Sequence, residues 1–317
     1  MEKQETQIQP SGQPAQEKNN NLKYFFFSVA TIAVFFLIGY FVFTKIGARE
    51  KDAVVAEKRA VEEDLSGFNS LLLDAKAVFV WDIVEKKAIY SKNEEAQMPL
   101  ASLSKIMTVL IASEYLKNNS AEFTNKKETG KWSLKNLIDF TLVTSSNDGA
   151  SLLASAIEAF DKNFENEDIF TDKMNKKAKE LGLKQTYFIN ETGLDIDEQE
   201  QSGSYGSARD IAMLLNYTIK NNPEIMEATS YDNIKLQTVD GKMHMVKNTN
   251  EAINKIPWIL ASKTGYTKLA GGNLVVAFDV GPARPIIISV MGSTKDGRFE
   301  DMEKLVETAI KHIAKDN

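Results

Sequence analysis

Cysteine is absent from the 317 residues, which removes disulfides, thiolate nucleophiles and cysteine-ligated zinc together. It suits a compartment where stray thiols would oxidise. Histidine is nearly as scarce: His244 and His312, far apart in sequence, do not make a histidine-rich metal site. Positive charge is not in excess either, because the formal net charge of −6 argues against a phosphate-binding surface spread over the molecule. Nucleic acid is therefore not an expected partner. No internal repeat recurs along the chain. What is present, 43% hydrophobic and 26% charged residues, suffices for a substantial buried core.

Long apolar runs are also missing, with one exception. Residues 1–23 are rich in Gln, Asn, Glu, Pro and Ser and read as a disordered polar tail. Residues 24–43 then read YFFFSVATIAVFFLIGYFVF without a charge, and at about 1.5 Å per residue such a helix spans roughly 30 Å, one bilayer core. A cleaved signal peptide has a shorter apolar region of about 7–15 residues nearer the N-terminus, so residues 24–44 are read as an uncleaved transmembrane anchor. The flanking charges point the other way for topology. Lys18 and Lys23 precede the run, whereas Lys45, Arg49, Lys51, Lys58 and Arg59 follow it, and the positive-inside bias would leave the C-terminal part in the cytoplasm. Residues 45–70 read as a charged, alanine-rich stalk, and residues 71–317 as the folded domain.

Within that domain, 77–83 and 88–91 are apolar, β-branched segments around a polar turn, the pattern of a hairpin. Helical periodicity follows at 102–116, 134–143, 151–159, 170–181 and 209–221. Strands are expected at 259–262, 274–278 and 286–291, and a closing helix at 300–313. Strands at both ends with helices between them predict an α+β fold, an antiparallel sheet flanked by helices beside a mostly helical subdomain.

One stretch, PLASLSKIM at 99–107, places Lys105 at the head of a run that is apolar on nearly every side. Such helices are buried. Residues three apart share a helix face, so Ser102 lies beside Lys105, whereas Ser104 points about 100° away. Burial disfavours the ammonium, and a lysine tuned toward neutrality can take a hydroxyl proton. Ser102 is thus a candidate nucleophile with Lys105 as its base. On its own this pattern equally describes a capping serine and a snorkelling lysine. Likewise TSSND, with Ser145 and Asn147, is by itself a turn signal, and ASKTGYT, with Lys263, Thr264 and Gly265, is a strand end whose glycine lets something approach the backbone closely.

In order, however, SxxK, SxN and KTG form the set found in penicillin-binding proteins and serine β-lactamases. PLASLSKIMTVLIA, VTSSNDGASLLA, FTDKMNKKAKELGL, TYFINETGLD, SARDIAMLL, KNTN and SKTGYTKLAGGNLVVAF each resemble, in the same order, segments of the D-alanyl-D-alanine carboxypeptidases, the small penicillin-binding proteins. That resemblance implies a serine peptidase of the bacterial cytoplasmic membrane acting outside the cytoplasm on peptidoglycan stem peptides, inhibited by β-lactams, without metal or organic cofactor. By the same resemblance, Ser102 attacks the penultimate D-Ala carbonyl, Lys105 takes its proton and Ser145 relays a proton toward the leaving D-Ala. Asn147 would hold the substrate amide, and Lys263 and Thr264 the terminal carboxylate, with Gly265 completing the motif. Backbone N–H groups of Ser102 and Tyr266 would form the oxyanion hole.

Departures from the pattern carry their own expectations. Ser146 stands where glycine is common and should narrow the cleft, whereas Asn273, where a cysteine is frequent, should be harmless. The chain ends at Asn317 without the β-rich domain and C-terminal anchor of many relatives, which assigns anchoring to residues 24–44. Trp81, Trp132 and Trp258 read as core or subsite walls, and the acidic run 195–201 as a solvated loop. A β-lactamase would need a Glu-x-x-Asn segment between the second and third motifs, and the only candidate, Glu251 with Asn254, falls just before KTG. A non-catalytic peptidoglycan-binding homologue is the other alternative, set against the full complement of polar catalytic side chains.

Overall fold

The computed structural model describes residues 65–315 apart from 118–121, 126–129, 161–169, 198–199 and 282, together with 23–29, 31, 35, 39–41 and 43–45. The chain divides into two compact units, residues 1–64 and 65–317. Of the expected tail, anchor and stalk, residues 1–22 and 46–64 lie outside the described residues, and residues 24–44 are described only in part. Among the described residues no helix is long and apolar enough to cross a membrane.

In the C-terminal unit, strands β1 (Ala77–Asp82), β2 (Lys87–Lys92), β3 (Ile259–Thr267), β4 (Gly271–Asp279) and β5 (Pro285–Ser293) form one antiparallel sheet in the order β3-β4-β5-β1-β2. Strands from the two ends of the domain meet where Val80 faces Ile288 and Ala77 faces Met291. These runs are apolar at consecutive positions because both faces are covered. Val78, Val80, Val276, Ile288 and Val290 face one side, where Met302, Leu305 and Ala309 of helix α6 (Gly297–Lys315) pack. Alternate residues Ala77, Phe79, Val275, Ala277 and Ile287 enter the second core with the helices between the strands. Those helices are α1 (Lys105–Leu116), α2 (Leu134–Val143), α3 (Asn147–Phe160), α4 (Phe170–Glu180) and α5 (Ala208–Asn221). The expected α+β architecture is therefore present.

Several boundaries differ from expectation. The folded unit begins at Leu65 rather than residue 71, because a helical turn at Ser66–Asn69 buries Phe68 and stacks its ring on Tyr90 with centroids 5.0 Å apart. The helix expected from residue 102 opens as a 3-10 turn, Ala101–Ser104, and becomes α-helical at Lys105. Helix α3 begins at Asn147 rather than 151, so the SSN motif abuts its N-terminus. Strand β3 runs through KTG to Thr267. A hairpin, Asn233–Gln237 with Met243–Lys247, escaped the pattern because its outward positions mix Lys, Asn and Met. Trp132 is core, but Trp258 is 70% exposed and walls no interior subsite.

Candidate active site

The 3-10 turn carrying Ser102 is pinned from three directions. Asn273, fully buried on β4, donates through Nδ2 to the carbonyl oxygens of Pro99 (3.0 Å) and Leu100 (3.1 Å), while its Oδ1 accepts from Gly292 N (2.8 Å). Gly265 lies against the same turn: a Cβ there would come within 2.8 Å of Leu100 O. The glycine of KTG is thus required by the nucleophile segment itself and not only by a ligand. On the third side is Gly193 (φ +76°), whose Cβ would lie 1.9 Å from Ala101 O. Ala101, immediately before Ser102, is held in the left-handed region at φ 50°, a conformation that surrounding contacts must impose on a side-chain-bearing residue.

Residues i and i+3 eclipse in a 3-10 helix, and Lys105 Nζ lies 2.9 Å from Ser102 Oγ. Ser104 faces the opposite way, its Oγ bonded to Ala101 O and Ser204 Oγ. Lys105 is 0% exposed and also donates to Asn147 Oδ1 (2.7 Å) and Thr192 O (2.8 Å). Desolvation pulls its pKa down to about 7, against a smaller upward pull from Glu191. A neutral amine keeps two N–H donors and one lone pair. With the two carbonyl oxygens taking the donors, the lone pair is left for the Ser102 hydroxyl.

Asn147 therefore has its oxygen committed to the lysine, and its amide nitrogen is the part left to meet a substrate amide. Ser145, in the left-handed region at φ 57°, receives a hydrogen bond from Lys263 Nζ at 2.8 Å. Lys263 is 1% exposed and also donates to Thr264 O. Burial first, then the charges of Lys105 and Arg298, hold its pKa well below the ordinary lysine value. Ser146 does not narrow the cleft as expected: its Oγ accepts from Gly149 N at 3.0 Å and caps α3.

On β3 the N–H of Ser262 leaves the sheet edge to meet Thr229 Oγ1 (3.0 Å). Alternate residues of an antiparallel strand send their N–H groups the same way, so that of Tyr266 points off the same free edge.

Five further contributors are not among the site residues expected from the sequence. Asn273 was read as harmless, yet it clamps the turn. Thr249 shares a 2.7 Å hydroxyl contact with Thr264. Arg298, buried on α6, donates to Gly265 O at 2.7 Å. Asn190 folds the Glu191–Leu194 turn by accepting from Thr192 N, Thr192 Oγ1 and Gly193 N and donating to Leu194 O. Asp195, placed in a solvated loop, instead accepts from Thr267 Oγ1 (3.0 Å) beyond KTG. The segment TYFINETGLD, one of those that carry the family resemblance, is the available signal for the last two.

The chain is similar to known proteins. The family described as D-alanyl-D-alanine carboxypeptidase matches residues 118–295, a span that starts just after the Ser102–Lys105 turn. D-alanyl-D-alanine carboxypeptidase DacF of Bacillus subtilis is 29% identical over 265 residues, 78% of this chain and 65% of its own length. A D-alanyl-D-alanine endopeptidase of Escherichia coli is 27% identical over 246 residues, covering 72% and 75%. Among solved structures, penicillin-binding protein D2 of Listeria monocytogenes in its ampicillin-bound form aligns with a TM-score of 0.65 at 28% identity, covering 75% of this chain and 98% of that one.

Proposed function

The chain belongs to the D-alanyl-D-alanine carboxypeptidase family, and on that premise we propose that it removes the terminal D-Ala from peptidoglycan stem peptides through an acyl-enzyme on Ser102. The chain spans about 65% of the length of the Bacillus relative, and its own chemistry rests on its own residues. The observation that carries the proposal is the buried Lys105 Nζ, 2.9 Å from Ser102 Oγ with Asn147 Oδ1 and Thr192 O taking its other hydrogen bonds.

In the proposed sequence Ser102 Oγ attacks the penultimate D-Ala carbonyl carbon as its proton passes to Lys105 Nζ. The developing oxyanion takes backbone N–H groups of Ser102 and Tyr266. Because Lys263 donates to Ser145 Oγ, the proton on Ser145 is free to point elsewhere, toward the amine of the departing D-Ala. As the C–N bond breaks, Ser145 passes its proton to that amine and is reprotonated with the proton Lys105 took from Ser102; the ester left on Ser102 is then cleaved by a water that Lys105 deprotonates, freeing the shortened peptide. Penicillin, acylating the same serine, would stay attached. Thr264 with Lys263 supplies the donor and positive potential for the terminal carboxylate.

The test is D-Ala release from a stem-peptide mimic with and without penicillin, alongside fluorescent-penicillin labelling. Release that penicillin blocks, with a stable label, supports the proposal. Rapid turnover of penicillin would make the chain a β-lactamase, and neither label nor release would make it a binding module.

The uncharged run at 24–43 supports anchoring in the cytoplasmic membrane by one N-terminal helix. The domain is placed outside, against the charge bias, because stem peptides ending in D-Ala-D-Ala are trimmed there. Protease applied to spheroplasts should digest residues 65–317; protection of that unit would overturn the assignment.

A further inference from the structure

The stretch KNTN, which the mechanism above does not use, meets β3 at Thr264 and is fixed on both sides. Asn248, 6% exposed, donates through Nδ2 to the carbonyl oxygens of Thr229 and Tyr231, both at 3.0 Å. Thr229 in turn holds Ser262, accepting from its N–H at Oγ1 and from its hydroxyl at the carbonyl. Thr249 N donates to Val143 O at 3.1 Å, two residues before Ser145. With its backbone held in this way, Thr249 meets Thr264 hydroxyl to hydroxyl at 2.7 Å.

A hydroxyl has one proton and two lone pairs. In a pair of hydroxyls one must donate, and the other then has its own proton to spend on a third group. If Thr264 donated to Thr249, it could not also donate to a carboxylate. If Thr249 donates, the Thr264 proton is released toward the cleft, and the polarised pair is the stronger donor. An anion placed beside Thr264 selects the second orientation, because a charged acceptor takes a hydrogen bond worth about 1.5–3 kcal/mol, more than a neutral one.

We propose that Thr249 is a specificity-determining positioning residue: by donating to Thr264 Oγ1 it turns the Thr264 proton toward the substrate, so that the site prefers a free C-terminal carboxylate to a neutral terminus. The proposal deepens the carboxypeptidase reading and rests on it. It concerns which peptide ends are accepted; the acyl transfer itself belongs to Ser102 and Lys105.

The experiment compares a stem-peptide mimic ending in D-Ala-D-Ala with the same peptide ending in D-alaninamide, for wild type, Thr249→Val and Thr249→Ser. Thr249→Val keeps the shape and removes the hydroxyl. It should lower kcat/KM for the carboxylate peptide roughly tenfold, mainly through KM, and leave the amide peptide within about twofold, collapsing the preference. Thr249→Ser should restore it. Equal losses on both peptides, or an unchanged ratio, would overturn the proposal, since a purely structural role moves both substrates together. Cleavage of neither peptide by the wild-type chain would instead overturn the parent reading and this one with it. Thermal melts of the three proteins identify a variant that has lost its fold; in that case Thr249→Ala, read by the same ratio, decides.

Discussion

Lys105 Nζ and Ser102 Oγ are 2.9 Å apart, and the other two hydrogen-bond directions of the amine are closed by Asn147 Oδ1 and Thr192 O. The lysine is thereby aimed at one serine and no other. Ser102→Ala should abolish both penicillin labelling and D-Ala release. Ser104→Ala should retain most of both while costing about 1 kcal/mol of stability, because Ser204 and Ala101 O lose a buried partner. Labelling followed on a gel separates the two; loss in the Ser104 variant with retention in the Ser102 variant would reverse the assignment.

The pH dependence follows from burial. With the Lys105 pKa near 7, the neutral base dominates above that value. The acylation rate should climb through about pH 7 and fall roughly tenfold per unit well below it. Stopped-flow acylation by a chromogenic β-lactam measures this, and a profile flat from pH 5 to 9 would contradict it. The sign for stability is the same. Between about 7 and the ordinary 10.5 the unfolded chain binds a proton that the folded one has released, so stability rises with pH across that window.

Asn273 should matter far more than its place after KTG suggests. Asn273→Ala removes the side-chain partner of Pro99 O and of Gly292 N and one of the two donors to Leu100 O, which keeps Leu103 N, a loss of about 2–4 kcal/mol. It should also slow acylation, since the turn bearing Ser102 loses its clamp. Urea unfolding together with labelling rates tests both halves; wild-type values for either would refute the clamp.

Two glycines with positive φ should respond unequally to alanine. Gly182 (φ +70°) has nothing within 4 Å of an added Cβ, so Gly182→Ala costs only backbone strain, roughly 1–2 kcal/mol. Gly193→Ala adds a collision with Ala101 O and should cost well over ~3 kcal/mol, with loss of labelling. Similar melting temperatures for the two variants would show that the close approach to the turn is not required.

Ser146 caps α3 and does not shape the cleft. Ser146→Ala should therefore cost about 1 kcal/mol with acylation within a factor of about three of wild type. A larger kinetic effect, at unchanged melting temperature, would place the side chain in the substrate's path.

Much of the architecture is legible along the chain, for reasons that differ by element. Strands β1, β4 and β5 announce themselves because both faces are buried, which makes their central positions nearly all apolar. The Ser102–Lys105 contact is legible because it is local: any helical turn, α or 3-10, brings i and i+3 together. The 3-10 geometry itself is not, since the contacts imposing it come from Gly193, Gly265 and Asn273, between 89 and 174 residues away along the chain. The hairpin at 233–247 is less legible because its second strand, MHMVK, exposes two methionines and so breaks the polar alternation that NIKLQ keeps.

Residue order alone establishes which groups can do chemistry, in what order, and which serine a lysine on the same turn can reach. Those are properties of residue type and short-range periodicity. It takes the folded chain to occupy the lysine's two donors, to commit the Asn147 oxygen to it, to make the KTG glycine necessary for admitting the Ser102 turn, and to stand Thr249 behind Thr264. Each of these is a single hydrogen bond or close approach between distant segments. Such contacts bury one or two polar atoms apiece, so they leave no repeating pattern in the chain to be read.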